Sequence, residues 1–141
     1  IVRPNNIYGP RQNAEKLIPA IIRAIHGGKK LSIHGNGETS RFFLHVDDLT
    51  DALKIIIQKA KDGSIFNVNG KHKTKVMSLV KEAAKYKNLD INDFSQFVDD
   101  RPFNDLLYSI DGKNINNLGW NEKRIFEQEF KKLIDEKSYI E

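Results

Sequence analysis

The chain has 141 residues, 39% of them hydrophobic and 30% charged, which is ordinary for one globular domain with a buried core. No stretch approaches the ~20 apolar residues of a membrane span, and the absence of cysteine excludes disulfides, cysteine-ligated metals and thiol catalysis. The formal net charge of +4 would suit nucleic acid, but the 23 Lys and Arg are scattered, without interleaved aromatics. We therefore expect no nucleic-acid or membrane partner and, given the lack of cysteine, a cytoplasmic location.

The N-terminal segment predicts one strand, one turn and one helix. Residues 1–3 are apolar enough for a short strand, and residues 5–10 are rich in the Asn, Gly and Pro that form turns. A helix is predicted from Pro19, because proline suits the first helical position, and Gly27-Gly28 should end it. Its buried face is expected to consist of Ile18, Ile21, Ile22 and Ile25.

The middle of the chain predicts two short strands and the most clearly amphipathic helix. The strands, residues 31–33 and 42–46, flank a Gly-Asn-Gly turn. Asp47 or Asp48 should cap the helix, with no catalytic role. Gly63 should close it, and the predicted apolar stripe is Leu49, Ala52, Leu53, Ile56, Ile57 and Ala60.

The remaining residues continue the alternation of strands and helices. Strands are predicted at residues 65–68, 94–98 and 106–110, with a loop at 99–105. One helix is capped by Thr74 and a last one covers residues 124–137, with inward faces made of Val76, Leu79, Val80, Ala83 and Ala84, and of Phe126, Phe130, Leu133 and Ile134. This order predicts an α/β or α+β fold whose strands are too short and too few for a complete doubly wound sheet.

Polar residues at the ends of the predicted elements are candidates for ligand binding. Asn5 and Asn6 follow the first strand, and Lys16 precedes a helix N-terminus, whose free N–H groups suit a phosphate. Arg41 follows the glycine turn and Arg101 lies in the later loop, and guanidinium groups pair bidentately with phosphate oxygens. Together they predict a diphosphate clamp. Each also has a purely structural interpretation, as a turn former, a solvated lysine or a surface ion-pair partner.

A series of short motifs resembles the extended short-chain dehydrogenase/reductase family in order and spacing. Within that family the resemblance is to the nucleoside-diphosphate-sugar 4,6-dehydratases, and it covers practically the whole chain. The motifs are Asn6-Ile7-Tyr8-Gly9-Pro10-Arg11-Gln12, Glu15-Lys16-Leu17-Ile18-Pro19, Leu31-Ser32-Ile33-His34-Gly35-Asn36-Gly37, Arg41 ahead of His45-Val46-Asp47-Asp48, Phe66-Asn67-Val68-Asn69-Gly70, Asp100-Arg101-Pro102-Phe103-Asn104-Asp105, Tyr108-Ser109-Ile110-Asp111 and Leu118-Gly119-Trp120.

The resemblance implies a fold, a cofactor and a reaction. Such enzymes have an N-terminal Rossmann domain that binds NAD and a C-terminal domain that holds the nucleotide sugar. Their reaction oxidises the sugar at C4, removes water across C5 and C6, and returns the hydride to C6. By this resemblance, residues 1–12 are the last strand and turn of the Rossmann domain and residues 13–141 the nucleotide-sugar-binding domain. The parent protein is expected to be a homodimer.

The family's catalytic and dinucleotide signatures are not found in these residues. The sequence has no glycine-rich dinucleotide loop and no Tyr-x-x-x-Lys pair, and its four histidines lack metal-ligand spacing. Because the chain opens on Ile1, we expect a fragment without dehydratase activity of its own, whose NAD is bound mainly by an upstream domain. The alternatives are a non-catalytic relic or binding module of the same descent, or another NAD-dependent sugar-nucleotide epimerase or dehydratase.

Carried over residue by residue, the resemblance implies a substrate site and one cofactor contact. Asn6 corresponds to an asparagine that contacts the sugar nucleotide, and the backbone of Ile7 to the position near the nicotinamide. Lys16 and Leu17 correspond to the pair at the diphosphate and ribose, and Arg41 to the diphosphate arginine. The strand that borders the nucleobase and the rest of the nucleotide pocket are expected to comprise Ser32, Ile33, His34, Asn67, Asp100, Arg101, Pro102, Phe103 and Asn104.

Two departures from the family pattern bear on the nucleobase. The dTDP-glucose dehydratases usually have Pro-Ile-Tyr beside the base and Gly-His in the later loop, where this chain has Ser32-Ile33-His34 and Phe103-Asn104. The histidine and the Phe-Asn pair resemble the UDP-glucose 4,6-dehydratase domain of UDP-rhamnose synthesis. The resemblance therefore favours UDP-glucose over dTDP-glucose, although Ser32 matches neither pattern.

Overall fold

A computed structural model of the chain describes residues 1–100, 107–108 (backbone alone) and 110–136. None of the helices within these ranges is long and apolar enough to cross a lipid bilayer. The elements in chain order are β1 (Val2–Pro4), β2 (Asn6–Tyr8), α1 (Leu17–Ile25), β3 (Leu31–His34), β4 (Ser40–His45), α2 (Val46–Lys59), β5 (Phe66–Val68), β6 (His72–Lys75), α3 (Val76–Lys87), α4 (Ile91–Phe94), β7 (Ser95–Val98), β8 (Leu107–Tyr108), α5 (Lys113–Asn117) and α6 (Phe126–Asp135).

The strands form three small sheets, which confirms the α/β class without a complete doubly wound sheet. One sheet pairs β1 with β5 in parallel, and another pairs β3 with β7 in parallel. The largest has β4 at its centre, with β2 parallel to its C-terminal half and β6 antiparallel to its N-terminal half. The short β8 also pairs with the start of β4. Strand β4 therefore fixes the relative positions of the segments on either side of it.

Two hydrophobic clusters hold these elements together. The first lies between α1, α3 and α6, whose predicted inward faces are confirmed apart from Val76, which is half-buried. The second joins β4, α2, β5 and the segment around α5, and its buried members are Leu44, Ala52, Phe66, Val68, Ile115 and Trp120. Burial of each large side chain contributes roughly 1.5–3 kcal/mol to folding, so these clusters carry most of the stability.

The turn predicted for residues 5–10 is partly wrong, because residues 6–8 form β2. Three residues carry too weak a local signal for a strand, and their backbone pairs with β4 from Asn6 opposite Phe43 to Tyr8 opposite His45. Helix α1 begins at Leu17, two residues before the predicted start. Pro19 is tolerated there because the first four N–H groups of a helix have no partner within it.

Helix α2 differs from its prediction at both its cap and its apolar stripe. Its cap is His45, whose Nδ1 accepts the Asp47 N–H at 3.2 Å. Asp48 is instead buried, and its carboxylate accepts the backbone N–H groups of Lys123 and Arg124 at 2.9 and 3.0 Å. The helix ends at Lys59, before Gly63, and within the predicted stripe Ile57 is 82% exposed.

Other predictions failed where a short segment depends on a distant partner. Thr74 lies in β6, which pairs with β4, and the residue that precedes α3 is Lys75. The strands at 31–34 and 40–45 flank the glycine turn as predicted, but they belong to two different sheets. The short helix α5 was not predicted. Of the strand predicted at 106–110, the described residues Leu107 and Tyr108 form β8, and residues 101–106, 109 and 137–141 lie outside the described residues.

The burial of His45 predicts how the stability of the fold depends on pH. Its side chain is 3% exposed, and burial lowers its pKa below the ordinary 6.5, an effect opposed by Asp47, Glu129 and Asp48 and reinforced by Arg124. Because the unfolded chain takes up a proton near pH 6.5 and the folded chain resists it, stability is fully present above that pH and is lost as the pH falls below it.

We expect His45→Asn to flatten this dependence between about pH 7.5 and 5.5, since asparagine still offers an oxygen to the Asp47 N–H but does not titrate. Urea unfolding of both proteins at each pH measures the difference. Equal slopes in the two proteins would show that His45 does not set the pH dependence.

Candidate functional site

A cavity of ≈ 800 Å³ opens between α1 and the strands β2, β3 and β4. Its walls come from the turn after β2, one face of α1, the residues that enter β3 and the outward side of β4. The lining residues are Asn6, Ile7, Gln12, Ala14, Glu15, Lys16, Leu17, Ile18, Ala20, Arg23, Lys29, Lys30, Leu31, Ser32, His34, Gly37, Thr39, Arg41, Phe43 and Val76. Seven of the predicted site residues are therefore brought to one concave surface.

The N-terminus of α1 lies at this cavity. Lys16 is the residue before the helix, in an extended conformation, and its carbonyl accepts the Ala20 N–H at 2.9 Å. No side chain caps the helix, and its first turn carries no acidic residue. The N–H groups of the first turn and the positive end of the helix dipole therefore favour an anion here.

The charged residues around the cavity are mostly basic. Arg41 lies on β4, where its Nη1 donates to the Ser40 carbonyl at 2.9 Å, and it lines the cavity. The other charged lining residues are Lys16, Arg23, Lys29, Lys30 and Glu15. Five cations and one carboxylate around a concave surface attract a ligand of at least two negative charges, as the predicted diphosphate clamp requires.

Strand β2 and the turn that follows it also line the cavity. Asn6 donates from Nδ2 to the Phe42 carbonyl at 2.9 Å, which holds its side chain across β4. Gln12 donates from Nε2 to the Ile7 carbonyl at 2.6 Å. Each of these amides also has an oxygen that can accept a hydrogen bond, which is the chemistry that hydroxyl groups of a sugar require.

The strand expected beside the nucleobase is divided between the cavity and the core. Ser32 and His34 line the cavity, and the His34 Nδ1 lies 3.1 Å from the Asp99 carbonyl. Ile33 is fully buried in the first hydrophobic cluster, so its side chain packs inward, and it does not line the cavity. The alternation of a strand separates these side chains, because successive residues point to opposite faces.

Two predicted members of the site lie away from the cavity lining. Asn67 is on β5, and its Nδ2 donates to the Asp111 carbonyl at 3.1 Å. The Asp100 carboxylate packs close to Gly35, at the edge of the glycine turn. The remaining loop residues, from Arg101 to Asn104, lie outside the described residues.

Several cavity residues were not predicted as site members. Arg23 lies seven residues after Lys16, about two helical turns along α1, and lines the same cavity as Ala20, so extending the helical periodicity from Lys16 would have found it. Lys29 and Lys30 reach the cavity because the segment after α1 turns back into β3, and Lys30 also donates to the Asn92 carbonyl at 2.7 Å. The sequence contains no local signal for that return.

A second, polar depression of ≈ 530 Å³ lies at the start of α2. There Lys123 contacts Asp51, and Arg124 contacts Asp47, both at 2.7 Å. The hydrogen bond from Lys123 lowers the pKa of Asp51. Within the described ranges, no group of three His, Cys, Asp or Glu side chains is arranged to hold a metal ion. This depression is an ion-paired junction between α2 and the segment before α6.

Residues 1–69 match the NAD dependent epimerase/dehydratase family. Over 133 residues the chain is 38% identical to a trifunctional UDP-glucose 4,6-dehydratase/UDP-4-keto-6-deoxy-D-glucose 3,5-epimerase/UDP-4-keto-L-rhamnose-reductase of Arabidopsis thaliana, a match over 94% of this chain and 20% of the relative. It is 34% identical over 140 residues to the dTDP-D-glucose 4,6-dehydratase of Bos taurus, covering 96% and 39%. The chain thus spans one fifth to two fifths of the length of these relatives.

Solved structures show the same likeness in three dimensions. The dTDP-glucose 4,6-dehydratase of Bacillus anthracis, solved in complex with NAD, has a TM-score of 0.84 and 30% identity, covering 94% of this chain and 42% of that one. The dTDP-glucose 4,6-dehydratase of Streptomyces venezuelae, solved with NAD bound, has a TM-score of 0.88 and 28% identity, covering 95% and 42%. The fold of this chain is therefore similar to that of the matching part of these two dehydratases.

Proposed function

We propose, from the premise that this chain belongs to the NAD dependent epimerase/dehydratase family, that its cavity is the nucleotide-sugar site of an NAD-dependent 4,6-dehydratase. The substrate proposed is UDP-glucose, with dTDP-glucose as the alternative, and the product is the corresponding 4-keto-6-deoxy sugar nucleotide. The observation that carries the proposal is the convergence of Lys16, Arg41 and the N-terminus of α1 on one concave surface. The proposal also includes a domain boundary between residues 12 and 13, with the end of the Rossmann domain before it and the nucleotide-sugar-binding domain after it. It further includes that the parent protein is a homodimer.

The diphosphate is proposed to lie between the N-terminus of α1 and Arg41. The guanidinium of Arg41 supplies paired donors, Lys16 a mobile positive charge, and the first turn of α1 its free N–H groups. These contacts orient the ligand so that its sugar extends towards β2 and its base towards β3. Asn6 and Ile7 then border the sugar, and Ser32 and His34 border the base.

Ile7 is the residue of this chain proposed to meet the cofactor. When bound, NAD takes up a hydride from the sugar and returns it later in the reaction. The contribution of this chain is local: Ile7 lies at the sugar end of the cavity with its carbonyl held by Gln12. That fixed strand edge, with the Gln12 oxygen beside it, presents hydrogen-bonding groups that suit the carboxamide of a nicotinamide ring. The chain thereby positions sugar and cofactor against each other.

Calorimetric titration of the full-length gene product tests this proposal. We expect UDP-glucose and UDP to bind with similar affinity, because the diphosphate provides most of the contacts, and glucose alone to bind immeasurably weakly. Raising the salt concentration should weaken UDP binding, since the site is basic. Equal and weak heats for UDP and glucose would contradict the proposal. Turnover of UDP-glucose with NAD by the same protein would separate an enzyme from a non-catalytic binding protein.

The identity of His34 predicts the base preference. Histidine pairs with the polar edge of uracil, whereas tyrosine offers thymine a larger apolar face. We expect His34→Tyr to shift the ratio of kcat/KM for UDP-glucose over dTDP-glucose towards dTDP-glucose by about tenfold, the usual size of a single methyl contact. His72→Tyr is the matched control, because His72 stacks on Phe126 away from the cavity. A ratio unchanged by His34→Tyr would remove His34 from the base site.

A further inference from the structure

Gln12 has one buried side-chain atom whose hydrogen bond the described residues do not supply. It follows β2, which is an edge strand of its sheet in the described part of the chain. Its Nε2 donates to the Ile7 carbonyl at 2.6 Å. Since a carbonyl oxygen can only accept, this bond fixes which end of the Gln12 amide carries nitrogen. The amide oxygen, Oε1, must therefore be the atom on the other side.

That oxygen lacks a donor. Gln12 Oε1 is shielded from solvent, and no described residue donates a hydrogen bond to it. The other buried side-chain atoms in this condition within the described ranges, Asn5 Nδ2 and His45 Nε2, belong to residues outside the cavity lining. Buried acceptors in folded proteins are normally satisfied. Gln12 Oε1 belongs to a residue that lines the cavity next to Ile7, and it is thus available to accept a hydrogen bond from a ligand.

Resting on the proposed function, we infer that Gln12 Oε1 accepts a hydrogen bond from an N–H or O–H group of the bound ligand while Nε2 keeps its bond to Ile7. The terminal torsion of glutamine is broad, so a small rotation turns Oε1 towards the cavity. Two groups could supply the donor at this end: a hydroxyl of the sugar, or the carboxamide of the nicotinamide. Gln12 then determines specificity for the ligand portion beyond the diphosphate.

The experiment distinguishes the acceptor role of Gln12 Oε1 from the structural role of the Nε2 hydrogen bond to Ile7. Gln12→Met removes both hydrogen bonds at nearly constant size, whereas Gln12→Lys keeps a donor for the Ile7 carbonyl and removes only the acceptor. Gln58→Met, on the exposed side of α2, is the matched control. Both measurements use the full-length gene product. The affinity for UDP-glucose divided by that for UDP reports the contribution of the glucose to binding. The affinity for NADH divided by that for ADP-ribose reports the contribution of the nicotinamide portion. A fall that the uncharged Gln12→Met shares cannot come from the added charge of lysine, and thermal unfolding verifies that each variant is folded.

We expect one of the two ratios to fall about five- to tenfold in both Gln12 variants and in neither control. A fall in the first identifies a sugar hydroxyl, and a fall in the second the nicotinamide carboxamide. Both ratios within twofold of wild type, or a loss in Gln12→Met that Gln12→Lys restores, would overturn the inference and leave Gln12 as a brace for β2. Failure of the wild-type protein to bind UDP would contradict the proposed function itself, and this inference with it.

Discussion

Replacement of Arg41 by alanine should weaken UDP-glucose binding by about ten- to a hundredfold. Arg41 lines the same cavity as the first residues of α1, and a charge-assisted contact to a diphosphate contributes roughly 1.5–3 kcal/mol. Its Nη1 also donates to the neighbouring Ser40 carbonyl at 2.9 Å, and because Arg41 is only half-buried we expect the free energy of unfolding to change less than the free energy of binding. Calorimetry and urea unfolding on the same samples measure both quantities.

Two variants sharpen this test. Arg41→Lys keeps the charge and loses the bidentate geometry, so it should fall between wild type and Arg41→Ala. Arg3→Ala removes an equal charge from exposed β1, outside the cavity lining, and should bind UDP-glucose as wild type does. If Arg41→Ala binds normally while folding is intact, Arg41 is a surface residue and the proposed clamp is wrong.

Gly70→Ala should destabilise the fold by on the order of 3 kcal/mol or more. Gly70 lies between β5 and β6, and a Cβ added there would stand 1.7 Å from the Phe43 carbonyl oxygen. That oxygen belongs to the backbone of β4, the central strand of the largest sheet, so it cannot move without disturbing β2 and β6. Urea or thermal unfolding measures the loss.

Gly63→Ala separates this steric effect from backbone strain. Gly63 has φ +77° and nothing within 4 Å of an added Cβ, so its substitution should cost only the ~1–2 kcal/mol of a left-handed conformation. Gly70, by contrast, needs the space. Equal and small losses in both variants would show that β4 accommodates a methyl group and that Gly70 has no special packing role.

The sequence predicted the amphipathic helices more reliably than the short strands, for a physical reason. A helix satisfies its hydrogen bonds within one segment, so the apolar positions of α6, from Phe126 to Ile134, were sufficient to place its buried face. Strands β2 and β6 have three and four residues and are stabilised by β4, which lies elsewhere in the sequence. The burial of Asp48 against the backbone of residues 123 and 124 is likewise set by a contact some 75 residues away.

The candidate site was predictable in part. The terminus of α1 and the position of Arg41 follow from local patterns, and the structure places both at one cavity. Ile33 was expected at the base, but alternation along β3 turns its side chain into the core. Gln12, Lys29 and Lys30 reach the cavity through turns whose path depends on the packed elements around them. Composition and spacing contain no direct signal for such positions.

The most direct test of the central claim is a crystal structure of the full-length gene product with UDP-glucose bound. We predict the diphosphate between Arg41 and the first turn of α1, with phosphate oxygens about 2.7–2.9 Å from the guanidinium nitrogens. The uracil should lie beside Ser32 and His34, and the glucose should point towards Asn6 and Ile7. Nucleotide sugar bound elsewhere, for example at the polar depression around Asp47 and Arg124, with the α1 cavity empty, would contradict the account.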